Sequence, residues 1–348
     1  MVIRQIPLLL TVLSLLSSLS RGEEPLSPTL SLIATIPTGI WPKGVGITPD
    51  GTKAYVTNFY EGSLTIIDTA TKTVLKTIKI KGAPVEVAFR KDRPEVWVSD
   101  FSHHRVLIFD TTNDSLIGQV KVELNPKVLC FTPDGKKLLV SNWSSHSVSI
   151  IDTDSGKVCK TIGVEVNPRG IDITPDGRYA YIANFSPRSN SVSVIDLKKE
   201  EVIATIKGFR NRPRHIKISP DGKYAYVSLF SSGKIFVMDT ATNQIVKRID
   251  LGGSPRTFPK TPSGQSGGKV RGKPKSMVFS PDGKYLYIAN FGANRLDILE
   301  VNTDSIICSI PAGKNPCGID VTPDGKYVYL TNWSDNNVMV FEVNPAPR

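Results

Sequence analysis

The sequence predicts an all-β protein, a seven-bladed β-propeller with four-stranded blades, on three observations. Pro-Asp-Gly recurs at Pro49, Pro133, Pro175, Pro220, Pro281 and Pro323, with spacings of 84, 42, 45, 61 and 42 residues. The first spacing is twice 42, and the missing copy falls at Lys91-Asp92-Arg93, which keeps the Asp. A proline stands seven residues upstream of every copy, the degenerate one included: Pro42, Pro84, Pro126, Pro168, Pro213, Pro274 and Pro316. The last repeat lacks a fourth strand, while Leu32 to Ile36 is an orphan strand in the register of Leu75 to Lys79. Pairing the two chain ends closes the ring and leaves no open sheet edge.

Each unit supplies its elements in the same order. After the repeat proline comes an alternating strand, typified by Gly318 to Thr322, and then the Pro-Asp-Gly turn. Pro fixes φ there, Asp bonds its own backbone and Gly takes a positive φ, so these aspartates read as scaffold. A second strand rich in β-branched and aromatic residues follows, as in Tyr327 to Asn332, then a loop and a third strand such as Val338 to Phe341. The third strand ends in an acid, mostly Asp, and Val74 to Ile80 typifies the fourth.

The second strands carry Tyr55-Val56-Thr57-Asn58, echoed by Tyr181-Ile182-Ala183-Asn184, Tyr287-Ile288-Ala289-Asn290 and Tyr329-Leu330-Thr331-Asn332. With this motif the chain resembles the YVTN-repeat seven-bladed propellers from about residue 30 to 345, departing at Asp100 and Leu229 in blades two and five. The resemblance implies the fold. It leaves function open, because relatives of the repeat include surface-layer proteins, lactonase-like propellers, haem-binding domains of nitrite reductases and subunits of amine dehydrogenases. The sequons at Asn142, Asn184 and Asn332 occupy the same motif position and read as structural. An aromatic follows that position in every unit, from Phe59 to Trp333, and its recurrence suggests packing between blades.

The chain has 348 residues, 40% hydrophobic and 22% charged, with 4 Cys. That composition excludes a disordered chain, a disulfide-stapled mini-protein, collagen and a coiled coil. Arg4, the apolar run Ile6 to Leu16 and the small residues Ser18-Leu19-Ser20 read as a signal peptide over 1–20, too short to span a bilayer. A short linker over 21–29 and the propeller over 30–348 complete the expected organisation, an exported protein, periplasmic or extracellular. The net charge is +11 for the whole chain and +10 without the first 20 residues. Nucleic acid is not an expected partner of an exported propeller, although basic charge is its usual footprint. No membrane span and a monomer are expected.

Function is sought where the copies differ. The turn after the first strand never varies in length. The loop after strand two is longer in blade four, and the connection out of blade five is far longer, a top-face insertion over 252–273. In up-and-down order those two kinds of loop open on one face, often the binding face of a repeat fold. That face is basic. The residues after the repeat prolines are Lys43, Val85, Lys127, Arg169, Arg214, Lys275 and Cys317, five cations in seven at the channel mouth. The insertion adds Arg256, Lys260, Lys269, Arg271 and Lys273 with no acid, read as a mobile cationic flap. All four histidines map there, His215 nearest the channel. A concave site rimmed by one sign of charge focuses its field on anions; solvated loop lysines are the alternative reading.

Four residues past each proline the chain faces the channel, and there Asp172 and Lys217 sit in consecutive blades, placed to form an ion pair. Catalytic and metal sets are not found. His104 and His146 lack a third ligand, and CxxC, CxxCH, HExxH, GxSxG and the P-loop are all absent. Cys130 with Cys159, and Cys308 with Cys317, are poor disulfide pairs because their strands lie apart. The expected function is a non-catalytic binding or scaffold propeller without a cofactor. Lys43, Lys127, Arg169, Arg214, His215 and Lys275 would engage an anionic small molecule, a glycan or an acidic protein surface. The alternative is a lactonase-like hydrolase or a haem-binding propeller using His215.

Overall fold

A computed structural model describes residues 29–252 and 272–344. Twenty-eight strands form seven four-stranded antiparallel sheets, each in simple sequence order except the last. In that blade the N-terminal strand Thr29–Pro37 pairs antiparallel with Asn337–Asn344, Leu32 facing Phe341 and Ile36 facing Val338. The ring therefore closes through the N-terminal strand, as the orphan segment predicts. Every innermost strand opens at the repeat proline, from Pro42–Ile47 in blade one to Pro316–Val321 in blade seven. Proline suits a strand's first residue, where no ladder donor is needed.

The second strands are the most buried elements, and the motif explains why. Tyr55, Tyr181, Tyr226, Tyr287 and Tyr329 are buried between blades. The hydroxyl of Tyr226 donates to Asp304 Oδ1 at 2.8 Å and that of Tyr181 to Asn243 Oδ1 at 3.0 Å, so each ring fills an apolar seam and still satisfies its polar end. The motif asparagines are fully buried: Asn142 Nδ2 donates to Ser147 and Ser149, and Asn184 Nδ2 to Ser191 and Ser193. Asn332 is buried in the same place, so all three sequons sit inside blades. In the Pro-Asp-Gly turns Asp50 Oδ1 accepts from the Thr48 hydroxyl and the Thr52 amide, and Gly51 has a φ of 76°, as the turn chemistry requires.

Apolar clusters lie between neighbouring blades rather than in one central core. One joins blades one and seven through Ile36, Val45, Ile47, Tyr329 and Val340. Fixing blade against blade in this way makes the channel a rigid frame on which the innermost strands present side chains. The segment read as a signal peptide, most of the expected linker and the insertion residues Arg256, Lys260, Lys269 and Arg271 lie outside the described residues. Among the described residues no helix is long and apolar enough to cross a membrane.

Candidate functional site

The seven residues that follow the repeat prolines do converge. Lys43, Val85, Lys127, Arg169, Arg214, Lys275 and Cys317 line one constriction of about 20 Å³ at the channel mouth, joined from below by Glu86 and His215. The motif positions the ring. The hydroxyls of Ser99, Ser141 and Thr331 donate to the carbonyls of Lys127, Arg169 and Lys43 in the next blade at 2.7, 2.8 and 3.2 Å. These blades thus pin the backbone of the next blade's mouth residue, whereas blades four and six carry Ala183 and Ala289 at that position, which have no hydroxyl to donate.

These cations are not solvated loop residues. Lys43, Lys127, Arg214 and Lys275 are buried, with 4–7% exposure. Among the described residues none of the five cations makes a salt bridge. Burial, reinforced by the neighbouring cations, pushes Lys127 down to about 4 and Lys275 to about 7, and holds Lys43 well below the usual lysine value. Glu86, just beneath them, is pushed up to about 7 by burial. Its carboxylate packs where a Cβ on Gly44 would sit, 2.6 Å from Glu86 Oε1, so the first blade needs glycine there.

An aromatic ring takes the place of counter-ions. The residues after the motif asparagines are all half-buried and circle the mouth, with Phe59 and Phe101 6.0 Å apart, Trp143 and Phe185 5.6 Å, Phe185 and Phe230 5.7 Å, and Phe230 and Phe291 5.9 Å. Trp333 and Phe59 are 6.2 Å apart. Cations bridge the two remaining junctions: Lys127 Nζ lies 3.9 Å from Phe101 and 5.2 Å from Trp143, and Lys275 Nζ 4.1 Å from Phe291 and 4.2 Å from Trp333. The expected packing of these aromatics between blades is seen at five of the seven junctions. They form a continuous collar whose π faces hold the ring of cations. Each such contact is worth about 0.5–2 kcal/mol, less than the several kcal/mol an unpaired buried charge costs.

Below the mouth the channel opens into a cavity of about 460 Å³ lined by all seven residues four past the prolines. Asp172 and Lys217 pair there at 3.6 Å, as their spacing suggests. Asp172 Oδ2 also accepts the Ile218 amide at 2.7 Å, and Asp320 Oδ2 accepts the Ile47 amide at 2.8 Å, so each aspartate ties its blade to the next. Burial pushes Asp320 up to about 6. A larger hollow of about 550 Å³ lies between blades five and six on the opposite face, but its charges answer one another: Tyr226 bonds Asp304, and Lys247 pairs with Asp304 at 3.0 Å.

The histidines divide by role. Nδ1 of His104 accepts the Asn125 amide at 3.1 Å, and Nδ1 of His146 accepts the Asn167 amide at 3.2 Å. The same staple recurs with Asn190, Asn294 and Asn336 as acceptors, so these two histidines join consecutive loops. His103 bonds Asp100. His215 lies on the innermost strand of blade five, its Nδ1 buried without a partner, and burial holds its imidazole neutral. Among the described residues no group of three or more His, Cys, Asp or Glu is placed to hold a metal, and all four cysteines are free. Lys273, the one flap cation among the described residues, has its Nζ 6.0 Å from Phe230.

Two residues at the mouth's edge were missed in reading the sequence. Trp41, before the first repeat proline, and Tyr60, two past Asn58, stack at 4.8 Å, and Trp41 lies 5.3 Å from Trp333. Aligning each repeat position across the blades would have found both, because no other unit carries an aromatic at either place.

Residues 210–347 match the family model described as a lactonase, 7-bladed β-propeller, and residues 144–261 match that of the cytochrome D1 heme domain. No curated protein matches significantly. Among solved structures, the chain is similar to one titled Kuenenia stuttgartiensis Hydrazine Synthase, with a TM-score of 0.77 and 23% identity. The match covers 87% of this chain and 95% of that one, and shows the shared fold.

Proposed function

We propose that this chain, a lactonase-like seven-bladed β-propeller, is an exported, non-catalytic binding protein that takes the anionic group of its ligand into the channel mouth. One observation carries the reading: five cations, four of them buried and Arg169 half-buried, gather against an aromatic collar, with no ion-pair partner among the described residues. Burying like charges together is costly, and an anion supplied by a ligand would offset that cost with charge-assisted hydrogen bonds. Arg169 and Arg214 are the best placed to grip an oxyanion, because a guanidinium presents a rigid fork of donors. The unpaired Nε of Arg214 is buried at the constriction. Export rests on residues 1–20 of the sequence alone.

A haem reading has support from the partial family match, yet His215 does not fit an axial role. It lines both the constriction and the cavity beneath, so a planar macrocycle entering by the mouth meets the collar and the cations first. The lactonase match keeps a hydrolytic reading testable with the same protein.

The test is calorimetric titration of the mature chain with inorganic phosphate, sulfate, sugar acids and their lactones. Binding of the anions without lactone turnover is expected, and Arg169→Ala with Arg214→Ala should weaken it at least a hundredfold. Unchanged affinity in the double variant would sink the anion reading, and lactone hydrolysis by the wild type would favour the enzyme.

A further inference from the structure

The junction between blades seven and one departs from the scaffold, and the departure points to a second recognition element. At three junctions the residue before the repeat proline is an asparagine with φ near 59°: Asn125, Asn167 and Asn315. Its side-chain amide donates to the carbonyl of the collar aromatic in the preceding blade, as in Asn125 Nδ2 to Phe101 O at 3.0 Å and Asn167 Nδ2 to Trp143 O at 3.1 Å. Asparagine tolerates the left-handed region, so this is the residue the backbone favours. Blade one carries Trp41 instead, held at a φ of 57° by the same staple, its amide donating to Asn336 Oδ1 at 2.9 Å. A bulky side chain there costs about 1–2 kcal/mol and forfeits the asparagine hydrogen bond.

Contacts with Tyr60 and Trp333 offset part of that cost, yet Trp41 stays 38% exposed. Its partner Tyr60 is 66% exposed, where the other six blades have serine or glycine: Ser102, Ser144, Ser186, Ser231, Gly292 and Ser334. Two neighbouring positions have thus become exposed aromatics in one blade only, so duplication of the repeat does not account for them. The left-handed backbone belongs to this repeat position, since the exposed Arg212 shares it in blade five at a φ of 59°, so it is the pair of exposed aromatics that marks the site.

We infer that Trp41 and Tyr60 form a stacking platform for the sugar ring of an acidic saccharide whose carboxylate or sulfate enters the channel mouth. The chemistry follows from the geometry. The two rings are tilted by 52°, so a flat base lies against only one of them, whereas a puckered pyranose has an apolar face and edge for both. The platform adjoins the cations through Trp333, whose ring lies 5.3 Å from that of Trp41, 4.2 Å from Lys275 Nζ and 5.7 Å from Lys43 Nζ. A ring on the platform therefore holds its acidic substituent within reach of Lys43 and Lys275. This rests on the anion reading of the mouth and narrows it to one ligand class.

The test compares the wild type with Trp41→Asn and Tyr60→Ser, each the residue that other blades carry. Galacturonate trisaccharide, its methyl-esterified form, uridine monophosphate and inorganic phosphate are titrated by tryptophan fluorescence and calorimetry, and thermal melting is recorded. Both variants should melt no lower than the wild type and bind phosphate equally, while losing at least tenfold in affinity for the acidic trisaccharide. The methyl ester should bind the wild type at least tenfold more weakly than the acid. Unchanged trisaccharide affinity in the variants, parallel loss of phosphate and saccharide, or tighter Trp41-dependent binding of the nucleotide would each overturn the inference. Should phosphate fail to bind the wild type, the anion reading fails by itself; Trp41-dependent binding of the methyl ester would then mark a platform for neutral sugars, and the acidic class would fall.

Discussion

The channel has two charged layers only three residues apart along the innermost strands, and they are built on opposite rules. In the deeper layer Asp172 meets Lys217 at 3.6 Å, and Asp172 and Asp320 each accept a backbone amide from the next blade. In the mouth layer five cations meet one another and the faces of aromatic rings. A paired layer contributes to holding blades together; an unpaired one costs stability and is retained for something other than folding. The contrast teaches where to look for function: at the layer whose charges are left unanswered rather than at the layer whose geometry is most complete.

The largest effect should come from breaking the paired layer. Asp172→Ala removes the partner of Lys217 and the acceptor of the Ile218 amide together. Leaving a half-buried ammonium and a backbone donor unsatisfied should cost about 3 kcal/mol in chemical denaturation. Anion affinity at the mouth should stay within about threefold if the layers are independent. A loss below about 1 kcal/mol would mean that the two layers are energetically alike and would dissolve the comparison.

The mouth should respond with the opposite sign. Lys127→Met keeps an unbranched side chain but removes an amine whose burial among Lys43, Arg169 and Arg214 disfavours its protonated form. The free protein should gain about 1 kcal/mol, while affinity for phosphate falls about tenfold. Destabilisation instead would show that the collar's π faces satisfy this ammonium outright.

These layers were unequally legible in the sequence. The repeat proline fixes strand register, and period-two alternation then assigns which residues face the channel, so the mouth ring and the Asp172–Lys217 pair followed from spacing alone. Burial did not follow. Nothing in a list of lysines says that Lys127 and Lys275 lie beneath aromatic rings, because that depends on how far Trp143 and Trp333 lean across the mouth. The collar was read as packing because recurrence usually marks scaffold, and here one position serves both ends: its backbone amide joins the interblade staple, as Trp143 N does to Asn125 O, while its ring faces the mouth. His104 and His146 were legible as loop residues, but their role needed the neighbouring blade's amide in view. Trp41 and Tyr60 were visible only by comparing copies position by position.

The smallest effect is a pH dependence that separates the layers without any mutation. Lys275 titrates near 7 and Lys127 near 4 in the folded protein, against about 10.4 when unfolded, because burial disfavours their charged forms. Between pH 7 and 9 the unfolded chain binds more protons than the folded one at these sites, so stability rises with pH. The carboxyls with raised values, Glu86 near 7 and Asp320 near 6, act in the opposite direction, but their contribution is nearly complete by pH 7. Buried thiols with raised values begin to oppose the lysines from about pH 8, and tyrosines only above about pH 9. The free protein's melting temperature should therefore climb by about 2–4 °C from pH 7 to 9. Anion affinity should fall over the same interval, because a ligand that needs ammonium groups must drive proton uptake to obtain them. Lys275→Met should flatten both trends, whereas a variant of the deeper layer should flatten neither. Parallel rather than opposed movement of stability and affinity would show that the mouth lysines keep their charge in the free protein, and that the collar carries more of the burden than the ligand.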